Sequence, residues 1–230
     1  MMYPMMDWTM IVLLPAILLT VWAQARVKST FEQYSRVRSR QGITGREAAR
    51  AILTSYGLGS MPIKQIAGQL TDHYDPSTRS LSLSEPVYDS TSIAAIGVAA
   101  HEVGHAVQHA QNYFPLKFRN AIVPVVNLTS GASWPLFLVG LMAGNSRIMN
   151  IGILLFLGVI VFHLVTLPVE LDASRRALAV LSSNGMMDRD EVSGARKVLG
   201  AAAMTYLAAA LQAVLSLVRL ILLRNSRSRD

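Results

Sequence analysis

Residues 93–110, IAAIGVAAHEVGHAVQHA, form the stretch of sequence that decides the fold. Alanine has the highest helix propensity of all residues and the stretch contains no proline, so it predicts one long helix. Asp89 or Ser90 is the expected N-cap of this helix. Three histidines, a glutamate and a glutamine interrupt the otherwise apolar sequence. Because buried polar groups are costly unless they are paired or bind a metal, the helix is predicted to carry a polar site.

The pentapeptide HEVGH, residues 101–105, has the spacing of a zinc-peptidase motif. His101 and His105 are one helical turn apart, so both project from one face and can bind the same metal ion. Zinc lowers the pKa of a bound water toward about 7. Glu102 is the predicted general base that takes the proton of this water and the general acid that returns it to the leaving amine.

The composition is typical of a membrane protein. Of the 230 residues, 52% are hydrophobic and 15% are charged, against roughly 25% charged residues in soluble domains. Four apolar runs are long enough to cross the hydrocarbon layer of about 30 Å: residues 8–23, 120–146, 148–169 and 198–218. The excess of 21 Lys and Arg over 14 Asp and Glu is typical of loops that flank membrane spans. The lipid bilayer is therefore an expected partner, and nucleic acid is not.

The apolar runs divide the chain into five parts. We expect a first transmembrane helix in residues 1–23 and a cytoplasm-facing catalytic domain with the HEVGH helix in residues 24–119. A transmembrane hairpin follows in residues 120–169, then a segment with the third metal ligand in residues 170–197, then a fourth transmembrane helix and basic tail in residues 198–230. Because 16 of the 21 basic residues lie in the second and fourth parts, these parts are predicted to face the cytoplasm. In this arrangement the arginines of the tail would lie on the outer side, against the rule that basic residues face the cytoplasm. An inverted bundle, or a last segment that lies in the membrane interface, therefore stays an alternative.

The chain has no cysteine, so any metal ion is held by histidines and carboxylates. Metzincins have Gly and His three and six residues after the second motif histidine, but this chain has Gln108 and Gln111 there, which excludes that subtype. His109 lies eight residues from His101, about 12 Å along a straight helix, and cannot reach the same ion. A third ligand must therefore come from elsewhere in the chain.

Glu170 is the best candidate for the third ligand. It is the first charged residue after the predicted hairpin, and since two spans separate it from His105, both residues return to the same side of the membrane. Asp172 is the alternative ligand, although two residues along a helix it points to a different face. Ser174 lies on the same helix face as Glu170 and is a candidate for a hydrogen bond that orients one of the metal ligands.

Several other residues are candidates for the site. Residues 70–84, LTDHYDPSTRSLSLS, predict a β-hairpin, and its edge is a candidate for pairing with an extended substrate peptide, although a plain structural hairpin is the alternative. On it, His73 and Tyr74 are either donors to the substrate carbonyl oxyanion or solvated flanks of the turn. His163 lies two turns before Glu170 and either approaches the zinc cavity or bonds a neighbouring helix.

Two sets of motifs carry a resemblance to known proteins. HEVGH, a transmembrane hairpin and ELDAS (residues 170–174) resemble the gluzincin-type membrane metallopeptidases, which include the CAAX prenyl proteases and the bacterial heat-shock membrane proteases. More closely, LTDHYDP (residues 70–76), LSLSEPVY (residues 81–88) and AAHEVGHAVQHA (residues 99–110) are similar to the bacterial YugP-type membrane zinc metallopeptidase family.

The resemblance implies a zinc ion held by His101, His105 and Glu170, with Glu102 catalytic, in a bacterial plasma membrane protein. It also implies a zincin-like helix–β-hairpin–helix catalytic domain, so the predicted fold is mainly α, a four-span transmembrane helical bundle that carries this domain. One departure is Ser174, where the broader group usually has Asp. The orienting role of that Asp is then expected from another residue, with Asp172 as the candidate.

The predicted function is that of an integral-membrane zinc metalloendopeptidase that hydrolyses membrane or membrane-proximal proteins. A related alternative is an enzyme for prenylated or otherwise lipidated peptides. A non-catalytic membrane scaffold or adaptor with a structural or latent zinc site is the alternative from another class, and the intact Glu102 favours the enzyme. A transporter is disfavoured because intramembrane charge is nearly absent. A regulatory membrane partner stays open, and the sequence indicates no oligomeric state.

Overall fold

The computed structural model describes residues 8–227 of the chain. In this range the fold is mainly α with one small sheet, and four helices are long and apolar enough to cross a membrane, which confirms the predicted fold class. After a 3₁₀ turn at Trp8–Leu13, the elements are α1 Leu14–Ser35, α2 Gly45–Ser55, β1 Ile63–Ile66, β2 His73–Asp75, β3 Ser80–Ser84, α3 Glu85–Tyr88, α4 Ile93–Ala110, α5 Phe114–Met142, α6 Ser146–Ser183 and α7 Arg189–Arg227.

The chain divides into two compact units. Within the described residues, the first unit contains 8–23, 118–167 and 205–227, and the second contains Gln24–Lys117 and Pro168–Met204. The helices α1, α5, α6 and α7 each contribute to both units. The division into five parts that the sequence suggests stays a prediction.

Polar contacts join the apolar helices of the first unit. The hydroxyl of Ser133 on α5 donates to the carbonyl of Gly152 on α6 at 2.9 Å. The guanidinium of Arg219 on α7 donates to the Thr9 hydroxyl at 3.1 Å and lies 5.8 Å from the centre of the Trp134 ring. These bonds matter in a bilayer because lipid tails offer polar groups no partner.

The small sheet of the second unit has the strand order β1-β3-β2. Strands β2 and β3 form the predicted antiparallel hairpin, with His73 opposite Ser82. Strand β1 pairs in parallel with the other side of β3. The sequence did not predict β1, because the four residues of this strand show no alternation of apolar and polar side chains. The Asp72 carboxylate accepts hydrogen bonds from the backbone and the hydroxyl of Ser84 at 2.7 and 2.8 Å and holds the hairpin together. Strand β2 is left as one edge of the sheet.

Helix α4 runs through the core of the second unit. Its side chains Ile96, Val103 and Val107 are buried in one apolar cluster that also includes Ile52 of α2 and Leu181 of α6. The polar motif of α4 is therefore held on a helix whose other faces are fully packed.

The N-cap of α4 is Ser92, whose hydroxyl accepts a hydrogen bond from the Ala95 backbone at 3.2 Å. The expectation of Asp89 or Ser90 is wrong because α3 comes first. Asp89 ends α3, and Ser90 lies in the turn between the two helices, where its hydroxyl donates to that of Ser92 at 3.0 Å.

We predict that Ser92→Ala lowers the free energy of unfolding by about 1 kcal/mol, because it removes the cap of the central helix. Asp89→Ala is the matched control. Its carboxylate is exposed at the surface, so the expected change is about 0.5 kcal/mol or less. Denaturant unfolding of the purified protein in detergent measures both values. Equal losses would contradict the assignment of the cap.

Candidate metal centre

Three side chains from two helices converge on one point. Helix α4 supplies His101 and His105, and α6 supplies Glu170. The Nε2 atoms of His101 and His105 lie 3.3 and 3.4 Å from the same oxygen, Oε2 of Glu170. His105 and Glu170 are buried. Two imidazole nitrogens and one carboxylate oxygen within 4.8 Å of one another can hold a metal ion.

The second nitrogen of each ring is already engaged. Nδ1 of His101 lies 3.1 Å from the Ser174 hydroxyl, and Nδ1 of His105 lies 3.1 Å from the side-chain oxygen of Gln108. Because an amide oxygen only accepts hydrogen bonds, it fixes the proton of His105 on Nδ1 and leaves the lone pair on Nε2. Hydrogen bonds to the histidine nitrogen that does not bind the metal are common in zinc sites. The donor set therefore fits zinc.

Gln108 belongs to the candidate metal centre, although the sequence did not predict it there. It is fully buried, and its amide nitrogen donates to the carbonyl of Val169 and to the Asp172 carboxylate, both at 2.9 Å. These two bonds fix which end of the amide faces His105. The available signal was its position three residues after His105 on the same face of a buried helix. In the sequence alone, this glutamine only excludes the metzincin subtype.

Gly104 allows α4 and α6 to approach closely beside the metal ligands. A Cβ atom at this position would lie 2.7 Å from the carbonyl oxygen of Ala173, a distance that real Cβ atoms do not show. Ala173 lies one turn after Glu170 on α6. The glycine inside HEVGH therefore permits the contact that brings Glu170 to the two histidines.

Glu102 lies next to the edge strand β2. Its Oε2 accepts a hydrogen bond from the backbone N–H of Tyr74 at 3.1 Å, so this N–H points away from the sheet and toward the centre. Burial raises the pKa of the Glu102 carboxyl, and the neighbouring imidazole groups of His101 and His105 oppose that shift. A raised pKa brings a carboxylate closer to the range in which it accepts and returns a proton near neutrality.

The comparisons with known proteins agree with this centre. The family model described as "Putative neutral zinc metallopeptidase" matches residues 9–225. The chain belongs to this metallopeptidase family. A curated relative, "Putative membrane protease YugP" of Bacillus subtilis (strain 168), is 49% identical over 205 residues, which cover 89% of this chain and 91% of the relative. No solved structure matches the chain. The resemblance to the YugP-type family that the motifs indicate is confirmed.

Asp172 contacts the candidate metal-binding residues indirectly. Its carboxylate accepts from Gln108 and binds the guanidinium groups of Arg175 and Arg176, the latter at 2.5 Å. Asp172 thus reaches His105 through Gln108, whereas Ser174 contacts His101 directly, and the orienting role of Asp172 stays a prediction.

The remaining candidate residues lie outside the group of three ligands. The Tyr74 hydroxyl is 2.7 Å from Nδ1 of His109, and Nδ1 of the exposed His73 is 2.9 Å from the Thr71 carbonyl. His163 is on α6 in the first unit, where its ring packs against Phe162 with 5.6 Å between centres. The proposed roles of Tyr74 and His73 as oxyanion donors and of His163 near zinc stay predictions.

We predict that Gly104→Ala destabilises the protein by about 1–3 kcal/mol and weakens zinc binding, because the new methyl group forces α4 away from Ala173. Gly97→Ala on the same helix is the control. Its Cβ would meet Cβ and Cα of Ala195 at 3.3 and 3.6 Å, well beyond the 2.7 Å contact at Gly104, and alanine improves helix propensity there. Thermal unfolding with and without added zinc separates the two effects. An equal response of both variants would contradict the close-contact explanation.

Gln108→Leu is expected to weaken zinc binding about 10- to 100-fold, because His105 loses the acceptor that orients it. Gln111→Leu, three residues further on at an exposed position, is expected to bind zinc like the wild type. Competition with a chromophoric zinc chelator measures both affinities. Unchanged affinity in Gln108→Leu would show that the hydrogen bond does not orient the ring.

Proposed function

We propose that this protein is an integral-membrane zinc metalloendopeptidase. The observation that carries the proposal is the convergence of His101, His105 and Glu170, with Glu102 adjacent, in a chain of a zinc metallopeptidase family. In the proposed enzyme these three residues hold the zinc ion. Bound there, zinc would supply a Lewis acid that polarises the scissile carbonyl and lowers the pKa of water.

Glu102 moves the proton in the proposed reaction. Its carboxylate accepts a proton from the attacking water and then donates it to the nitrogen of the leaving amine. The surroundings that raise the pKa of Glu102 favour both steps, because they keep the carboxyl within reach of both protonation states. A purely structural zinc site needs no acid or base at this position, so Glu102 supports an enzyme over a scaffold.

The edge of β2 is the proposed binding site for the substrate backbone. Extended peptides bind exposed sheet edges by continuing the ladder of main-chain hydrogen bonds. The Tyr74 N–H on this edge already reaches Glu102, so a peptide paired with β2 would run beside the catalytic carboxylate. In this role Tyr74 acts through its backbone, while its hydroxyl contacts His109.

The proposed substrates are membrane proteins or peptide segments close to the membrane. The four candidate spans and the relative named as a membrane protease support a membrane location. The bacterial plasma membrane is proposed from the Bacillus subtilis relative. A site that faces the cytoplasm is proposed from the basic residues in 24–119 and 170–197.

Two substitutions test the proposal on protein purified in detergent. Glu102→Gln is expected to keep zinc and to lower the cleavage rate for a mixed peptide library by at least about 10²-fold, since the general base is lost. Glu170→Ala is expected to lose zinc. Glu85→Gln, an exposed glutamate at the start of α3, is the control and should keep both zinc and activity.

The alternative outcomes are informative. Stoichiometric zinc without cleavage by the wild type would support a scaffold or adaptor with a structural or latent site. Retention of zinc by Glu170→Ala would move the third ligand to another residue, with Asp172 as the first candidate.

A further inference from the structure

A groove separate from the catalytic carboxylate lies between α6 and α7 in the second unit. Its volume is about 580 Å³. Leu171, Leu199, Gly200 and Ala203 line one end, Leu178, Ala179 and Val192 lie beyond the two arginines of the groove, and Ser182 and Ser183 line the other end. Ser174, which contacts His101, also lines the groove. A Cβ atom at Gly200 would meet nothing within 4 Å, which shows that the apolar end is open space and is not filled by side chains.

Positive charge lies in the middle of this groove. Arg175 and Arg196 are on opposite walls, one on each helix, and both are exposed. Among the described residues that line the groove, none is acidic. Asp172, which binds Arg175, also binds Arg176, so this one carboxylate already has two cationic partners. The groove thus presents guanidinium groups that can bind an anion from both sides.

The apolar end of the groove and the two arginines follow one another along the helices as the acyl chains and the phosphate do in a phospholipid. Both helices continue from the apolar end of the groove directly into the apolar runs 148–169 and 198–218. Arg175 lies four residues beyond Leu171, and Arg196 lies seven residues from Ala203, so the charges are about 6 and 10 Å from the apolar end. The headgroup layer on each side of a bilayer is about 5–8 Å thick. The arginines are therefore at the depth of lipid phosphates if the apolar end meets the hydrocarbon.

We propose that this groove binds an anionic phospholipid of the surrounding bilayer. The phosphate binds between Arg175 and Arg196, and one acyl chain lies along Leu171, Leu199 and the space at Gly200. The hydroxyl of Ser182 at the far end can bond a polar headgroup. Basic pockets between membrane helices are a known means of binding anionic headgroups. Binding at this groove requires no peptidase activity.

Native mass spectrometry of the full chain, released from micelles with equal amounts of phosphatidylglycerol and phosphatidylcholine, tests the proposal. The wild type is expected to retain phosphatidylglycerol in preference to phosphatidylcholine. Arg196→Gln is expected to weaken phosphatidylglycerol binding about fivefold, the effect of one basic residue near the membrane surface. Gly200→Leu is expected to remove the bound lipid, because its side chain fills the acyl end of the groove.

Two matched controls keep the test sharp. Arg189→Gln removes an exposed basic residue of α7 that is not part of the groove, and Gly131→Leu adds the same side chain at an open position of α5. Both should retain lipid like the wild type. Equal retention of the two lipids by the wild type, or wild-type retention by both groove variants, would overturn the proposal. Because no peptide is present, this failure is distinct from a failure of the peptidase proposal.

Discussion

The close approach of α4 to α6 is the constraint on which the metal centre depends. Two histidines one turn apart supply only two ligands, and the third has to come from another helix at contact distance. Gly104 makes that distance possible, because any side chain there would collide with the Ala173 carbonyl. A glycine in the middle of a helix costs about 1 kcal/mol in propensity. Here the packing of α4 in the apolar core of the second unit offsets that cost.

The same contact creates a buried polar network. Gln108 connects His105 to Asp172, and Asp172 binds Arg175 and Arg176 at the margin of the site. In this network Gln108 and Asp172 each have partners of suitable chemistry, which is the condition under which a polar network rigidifies a core. The series of hydrogen bonds and ion pairs that contacts His105 therefore starts at arginines on the margin of the site. The metal centre extends over more residues than the three ligands.

The sequence was sufficient for the parts that depend on local pattern. The apolar runs, the helix with HEVGH and the β2–β3 hairpin follow from periodicity and turn residues, and Glu170 followed from counting spans. The missed features depend on contacts between distant parts of the chain. Strand β1 is defined by its parallel partner β3, and Gln108 gains its role only when Val169 and Asp172 are beside it. The cap of α4 was misplaced because α3 occupies the residues in front of it.

The order of the ligands along the chain has a consequence for biosynthesis. Glu170 is made 65 residues after His105, and the whole of α5 and most of the apolar part of α6 lie between them. At a translation rate of about 5–20 residues per second, the ribosome needs about 3–13 s to cover that interval. During this time the nascent chain carries HEVGH without its third ligand. The ligand set of the proposed peptidase would be complete only once the α5–α6 hairpin has been synthesised, so the proposed activity would be acquired late in translation.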